Sequence, residues 1–460
     1  MDLDVVIIGA GLSGLACALY LAKRDYCVTI FEARSNEEIN PAYSSSGRTI
    51  SMDLSVRGLF ALKEIGVGEE ILKEAVLMRY KIFHARDGTL TRIPYGRNPD
   101  EYIATVSRNH LYRSLLDYCQ QHKNINIHFE KELKNIDING SIVHIRDKNN
   151  AQNYSWPTNI VIGADGVNSS VRRCLEHYTG INFSTSHFKQ CYKELLIPKE
   201  LGVRLEHQAT HLWSRDEFLL LAQPNPDFSF SLALLMPLSG QTISFANITT
   251  DNDIRELFKE HFNDVLIMVP DLCDQYRKNP VSSLRMVSCQ QWTYNGNIVL
   301  LGDAAHGMVP FFGQGVNCCF EDCTVLNQCL DEANDCWTIA LTLFNERRVA
   351  NGHAISTLSY ENYPELHQSR IFDRVLLKKQ IDELLSKKYS RTYVSYHQLV
   401  CFHRVPYVYA MACKRLQEPL LDALSNGIST VQELDWQKAE ALLGQYRQQI
   451  LSLHGVNNGS

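Results

Sequence analysis

The chain opens on Asp4-Val5-Val6-Ile7-Ile8, apolar on both faces, which predicts a short strand buried inside a parallel sheet. Gly9-Ala10-Gly11-Leu12-Ser13-Gly14 follows, then LACALYLAKR, read as an amphipathic helix, and CVTIFEA, read as a second strand. This is a β-α-β unit of about thirty residues. Residues 77–95 alternate as strands around Asp87-Gly88, 104–122 read as helix, and strands return near 125–146. NIVIGADGVNSSVRR (159–173) is another apolar strand running into a turn and a helix start. Between 183 and 250 short alternating runs such as EFLLLAQP and FSFSLALLMP predict an antiparallel sheet. NIVLLGDAA (297–305) regains the parallel character, and beyond 340 the pattern is helical. No internal repeat or low-complexity linker separates these parts, so the domains are expected to interleave. The fold class is α/β. A Rossmann-like nucleotide-binding domain (1–76, 101–180, 290–350) interleaves with an antiparallel β-sheet substrate domain (77–100, 181–289), and a C-terminal helical region covers 351–460.

Composition narrows this picture. A chain of 460 residues with 45% hydrophobic content can bury several cores. The net charge of −6 offers no basic excess for phosphate backbones, which speaks against nucleic acid as the main partner. Fourteen cysteines show no CxxC spacing, and Met1-Asp2-Leu3-Asp4 is acidic where a secretory leader is basic. We read them as reduced thiols of a cytoplasmic protein. The run Cys318, Cys319, Cys323, Cys329, Cys336 has helical spacing and no histidine pair, so it reads as packing, with no metal. No apolar run is long enough for a membrane anchor.

The chemistry sits in two glycine loops. In the first, Gly9 allows a tight turn, Gly11 lets the backbone approach a pyrophosphate, and Gly14 lets the helix pack on the strand. Glu32 ends the second strand, where a carboxylate binds ribose hydroxyls. The second loop is LLGDAAHGMVPFFGQGVNCCFED (300–322). Gly302-Asp303 follows a strand, so Asp303 can reach sugar hydroxyls. Pro310-Phe311-Phe312-Gly313-Gln314-Gly315 leads into a helix near Val316 and Asn317. For a FAD ligand, the first loop would hold the pyrophosphate, and the N–H groups of the second would face the pyrimidine edge of the flavin. Pro310, Phe311, Phe312 and Gly313 would then wall the pocket beside the ring. His306 reads as a positional residue.

Together the first loop, Gly163-Ala164-Asp165-Gly166 and Gly302-Asp303 resemble the single-component, group A flavin-dependent aromatic hydroxylases. GRTISMDLSVRG (47–58), RYKIFH (79–84), PYGR (94–97), CYKELLI (191–197), HLW (211–213), MVPFFGQGVNC (308–318) and ENYPE (361–365) narrow the resemblance to the kynurenine 3-monooxygenases, in order over residues 3–410. The resemblance implies FAD as cofactor, with Arg34, Arg108 and Asp165 among its contacts. It also implies NADPH as a transient co-substrate, and O2 delivered to the ring of kynurenine or a closely related aryl amino acid through a flavin C4a-hydroperoxide. Tyr95 and Asn362 match the family's substrate-binding tyrosine and asparagine. The family's arginine is Lys81 here, with Arg79 two residues earlier as a substitute, and a second tyrosine is His397. Asp53 replaces alanine and Gln223 replaces leucine. These changes leave open a hydroxylase for a different, more polar aromatic substrate. A flavin oxidase, a flavin reductase and a non-catalytic escort protein of the same fold are the remaining alternatives. The oligomeric state is not legible.

Overall fold

The computed structural model describes residues 4–39, 51–137, 141–216, 218–241, 243–367 and 372–457. Residues 47–50 of the GRTISMDLSVRG motif and the last three residues of the chain lie outside these ranges.

Strand Asp4–Ile8 lies near the middle of a six-stranded sheet, flanked by Cys27–Phe31 and Ile160–Gly163. Ile125–His128 and Ile298–Leu300 extend it in parallel, and Thr293–Tyr294 adds an antiparallel edge. Val5, Val6 and Ile7 are fully buried, as a strand covered on both faces requires. The register pairs Ile8 with both Phe31 and Gly163, and Gly163 with Leu300. Four parallel strands therefore end together, and Gly9, Glu32, Asp165 and Gly302-Asp303 emerge from one edge of the sheet. Open α/β sheets bind ligands at that edge.

Helix Leu12–Ala22 differs from the amphipathic expectation: every residue from Gly14 to Ala22 is buried. Besides the sheet, it packs on helices Arg108–Gln121 and Gly315–Glu332, which leaves no solvent face. The helix expected over 104–122 starts only at Arg108. Ile103–Ser107 is a strand, held between Ser51–Leu54 and Val76–Met78 in a small antiparallel sheet. The boundary expected at 76/77 thus falls inside a strand. Ser107 Oγ accepts from the His110 N–H and caps the helix that follows.

A seven-stranded sheet forms the second layer, in the order Ser282–Cys289, Phe183–Ile197, Phe230–Pro237, Phe218–Pro224, Ala209–Arg215, Tyr80–His84, Leu90–Pro94. Phe183–Ile197 is one long strand where the alternation suggested short ones. Helices Asp251–His261 and Leu272–Lys278 were not expected within 181–289. They cover one face of this sheet, burying Phe258, Phe262 and Leu272 with Phe218, Leu220 and Leu232. The strand Asn153–Pro157 was also missed. Beyond residue 340 the chain is helical, as expected. One cluster joins all parts: Met78, Tyr95, Ile103, Phe312 and Cys318 pack with Leu399, Val400 and Tyr407. Among the described residues no helix is long and apolar enough to cross a membrane.

Candidate functional site

The first glycine loop is built as its spacing requires. Gly9 has φ +105°, and a Cβ there would lie 2.5 Å from the Ala164 carbonyl oxygen. At Gly14 a Cβ would lie 2.0 Å from the Gly9 oxygen, so only glycine lets helix and strand approach this closely. Gly11 is different: its nearest neighbour would be the Ala164 oxygen at 4.0 Å, which leaves space in front of the helix. Glu32 is buried and ties the turn together. Its Oε2 accepts from the Ala10 N–H at 2.9 Å, and its Oε1 from the Arg34 N–H and Nε, both at 3.0 Å.

The second loop mirrors the first. Gly302 has φ +59° and a Cβ there would clash with Ser13 Oγ, so the two loops touch. Burial pushes the Asp303 carboxyl above its usual range, while His306 and Arg108 act on it in the opposite direction. Arg108 stands in the first turn of its helix. Asp165 Oδ2 accepts from the N–H groups of Ser170 and Val171, whereas its Oδ1 is buried and makes no hydrogen bond. Gln314 Oε1 accepts from the Tyr407 hydroxyl at 3.0 Å. The Asn317 side chain donates to the Asp53 and Gly313 carbonyls and accepts from the Ser55 N–H. Both amides thus shape the loop with their side chains, which leaves backbone N–H groups to face a ligand. Next to Gly315 there is open space, and Val316 is half-buried.

These features fit a long dianionic cofactor. Helices Leu12–Ala22 and Gly315–Glu332 both start without a side-chain cap and without an acid in the first turn. The helices starting at Arg108, Ser170, Asp251 and Tyr396 are capped by Ser107, Ser169, Thr250 and Ser395, while Val56–Glu64 and Tyr407–Ser425 also start uncapped but follow no glycine loop. Uncapped N-termini hold free N–H donors and positive potential, which suits a pyrophosphate at one and the flavin's electron-rich edge at the other. The buried Asp165 oxygen without a partner among the described residues keeps an acceptor unused, which fits a ligand hydroxyl.

Beside the second loop lies a polar group inside apolar walls. Lys81 Nζ stands 3.0 Å from His397 Nε2 and 4.7 Å from the centre of the Tyr95 ring. An ammonium is only a donor, so His397 Nε2 accepts and the imidazole is neutral. Burial, then Lys81 and Lys379, hold it well below its usual pKa. His397 stacks on Phe312 at 5.1 Å, and the Tyr95 hydroxyl pairs with Thr210 Oγ1 at 3.0 Å. Burial, then the Asp53 charge, raise the Tyr95 phenol well above its usual range. Gln223 Nε2 donates to Asp53 Oδ1 at 2.7 Å. Asn362 donates to the Phe311 carbonyl at 2.6 Å and so positions the loop. Phe311 packs on Tyr363 at 4.4 Å, and Pro310 starts a 3-10 turn that ends at Phe312. Arg79 lies apart from this group. Its guanidinium is bound to the Pro99 carbonyl at the exposed rim, and its backbone pairs with Gln208 and Tyr95, so it does not join Lys81.

A buried ionic network under the second loop was missed by sequence reasoning. Asp322 accepts from His306 Nε2 at 2.6 Å, from the Gly302 N–H at 3.0 Å and from Arg348 Nε at 2.8 Å. Arg348 and Arg57 share Glu321, and Arg57 also donates to the carbonyls of Val400 and Val405. Burial would pull the His306 imidazole down, but Cys318 and Asp322 outweigh it and hold the pKa well above its usual value. His306 is thus a positioning residue. Its group with Cys318 and Asp322 has metal-ligand spacing, but Arg348 already supplies the counter-charge. The sequence carries little signal of it: Glu321-Asp322 and Arg347-Arg348 are adjacent charges in helices that hold other polar residues as well.

Comparison with known proteins agrees with this geometry. A family model described as FAD binding domain matches residues 2–335. The kynurenine 3-monooxygenase of Legionella pneumophila (strain Corby) is 38% identical over 449 residues, covering 98% of this chain and 99% of that protein. The kynurenine 3-monooxygenase of Myxococcus xanthus (strain DK1622) is 33% identical, covering 95% and 94%. The fold matches 2-methyl-3-hydroxypyridine-5-carboxylic acid oxygenase with TM-score 0.66 and 20% identity, over 82% of this chain and 96% of that one. The fold and the two loops thus define an FAD-dependent aromatic monooxygenase. Within that class, the chain belongs to the kynurenine 3-monooxygenase family. FAD is its cofactor, with NADPH and O2 as the usual co-substrates.

Proposed function

We propose that this enzyme hydroxylates the ring of kynurenine or a closely related aryl amino acid. The observation that carries the reading is the Lys81–His397–Tyr95 group packed on Phe312, next to the glycine loop that would face the flavin. Lys81 and Tyr95 would receive the substrate carboxylate, with His397 orienting the lysine. Asn362 would hold the loop through the Phe311 carbonyl, and Asp53 and Gln223 would line the chamber. Gly9, Gly11 and Gly14 would admit the FAD pyrophosphate, Glu32 and Arg34 the adenosine side, and Asp165, Arg108 and Asp303 the middle. Gly302 and residues 313–317 would cradle the flavin. Reduced by NADPH, FAD supplies the oxygen-transfer chemistry. The chain's own work is to bind and orient the ring and to exclude water. Residues 1–76, 101–180 and 290–350 would form the cofactor domain, 77–100 and 181–289 the substrate domain, and 351–460 the cap. A cytoplasmic setting fits fourteen unpaired cysteines.

NADPH consumption is expected to rise when kynurenine is added, with product mass increased by one oxygen atom. If no aryl amino acid stimulates oxidation or gains oxygen, the substrate assignment is lost. Lys81→Met and Tyr95→Phe are expected to raise KM, about tenfold or more for the lysine, whose charge-assisted bond is worth over 1.4 kcal/mol. Flavin content should not change. A parallel loss of flavin would make these residues structural.

A further inference from the structure

The chamber contains an acid that an anion-binding site does not need. Asp53 is fixed by its strand and by Gln223 Nε2, 2.7 Å from Oδ1. Its carboxylate lies against the second loop: a Cβ on Gly313 would be 3.3 Å from Asp53 Oδ2. Burial pushes its carboxyl up to about 6, opposed by Thr105, Lys81 and Gln223, and Lys81 is the cation that acts on it. His397 is neutral, and Lys379 acts on it from helix Phe372–Lys388.

Lys81 is thus the cation that balances the Asp53 charge, while the effect of Lys379 falls on His397. Bringing a ligand carboxylate to Lys81 adds an anion and diverts the cation from Asp53. Inside a low-dielectric chamber that leaves two carboxylates sharing one ammonium, which is costly. A ligand with its own cation removes the cost, because carboxylate and ammonium exchange partners and the total charge stays the same. The two groups of an α-amino acid sit on one carbon and arrive together.

We propose that Asp53 is a specificity-determining residue that receives the α-ammonium of the substrate, with Gln223 holding the carboxylate in place and Lys81 taking the substrate carboxylate. The site then selects zwitterionic aryl amino acids over aryl acids that lack the amine. This rests on the substrate reading given above.

The test is titration of the holoenzyme with L-kynurenine and with its deaminated analogue, in which hydrogen replaces the α-ammonium. Binding is followed by the change in flavin absorbance in wild type, Asp53→Asn and Asp53→Ala. Flavin content and thermal unfolding serve as controls for folding. Wild type is expected to bind the amino acid at least about tenfold more tightly than the analogue. Both variants should bring the two affinities close together, and Asp53→Ala should bind the analogue more tightly than wild type does. The same preference kept in a fully flavinated Asp53→Asn protein, or no preference in wild type, overturns the assignment while leaving the aryl-acid chamber intact. Wild type that binds neither compound overturns the substrate reading and this one together.

Discussion

A Gly11→Val enzyme is expected to fold and to be colourless. The protein itself has room for a side chain there, since the nearest atom to a Cβ is the Ala164 oxygen at 4.0 Å. What the valine methyls fill is the space in front of the uncapped first turn of helix Leu12–Ala22, where a phosphate would take the free N–H groups. Purified variant should carry less than about a tenth of the wild-type flavin, a loss of more than 1.4 kcal/mol in binding. Its circular dichroism should match wild type stripped of flavin. Gly14→Ala is the contrasting case. Its Cβ would lie 2.0 Å from the Gly9 oxygen and 3.2 Å from the Gly9 carbonyl carbon, and neither backbone atom can turn aside. Overpacking of this kind costs about 1–3 kcal/mol or more, so Gly14→Ala should lose stability even without cofactor. A Gly11→Val protein that stays fully yellow would mean that the pyrophosphate lies elsewhere.

The second large effect is expected from two neighbouring arginines. Arg348 is buried and supplies Asp322 and Glu321 with charge-assisted bonds at 2.8 and 2.7 Å. Arg347, one residue earlier, makes a two-pronged pair with Glu332 on the surface. Removing one partner of a buried ion pair strands the other, at about 3–5 kcal/mol, whereas an exposed pair is worth about 1 kcal/mol or less. Arg348→Met should therefore lower the urea midpoint far more than Arg347→Met. It should also weaken FAD binding, because Asp322 would lose its hold on the Gly302 N–H and the turn that aims Asp303. Equal losses from the two variants would show that the buried network contributes nothing special.

What the residues disclosed in advance follows from the rules each one obeys. The turn at Gly9 to Gly14 was legible because no other residue fits positive φ or a close approach, and strand, turn and helix stand in sequence order. Four strand ends meeting at one edge followed from the parallel character of their apolar runs. The pairing of Lys81 with His397 spans 316 positions, and no local pattern signals it; only the family resemblance placed both in one chamber. Arg79 misled because two residues of spacing puts side chains on one strand face, but the strand begins at Tyr80 and Arg79 turns to the rim. Helix Asp251–His261 was hidden in a stretch read through its neighbouring strands, although Thr250 and Asp253 form a capping box at its start. The ionic network was illegible for another reason: Glu321-Asp322 look like a solvated helix face until the helices around them close.

The parallel order of the central sheet has a consequence for biosynthesis. Strand Ile298–Leu300 pairs with Ile160–Gly163, and the helix that completes the cradle begins at Gly315. While the polypeptide is still emerging from the ribosome, the first strands of the proposed nucleotide half are made long before the segment that covers helix Leu12–Ala22 and would hold the flavin. A ligand stabilises only a state that can bind it. Vitamin supply can therefore rescue a weakened variant only after most of the chain has been translated, and damage to the early strands has to be survived without help.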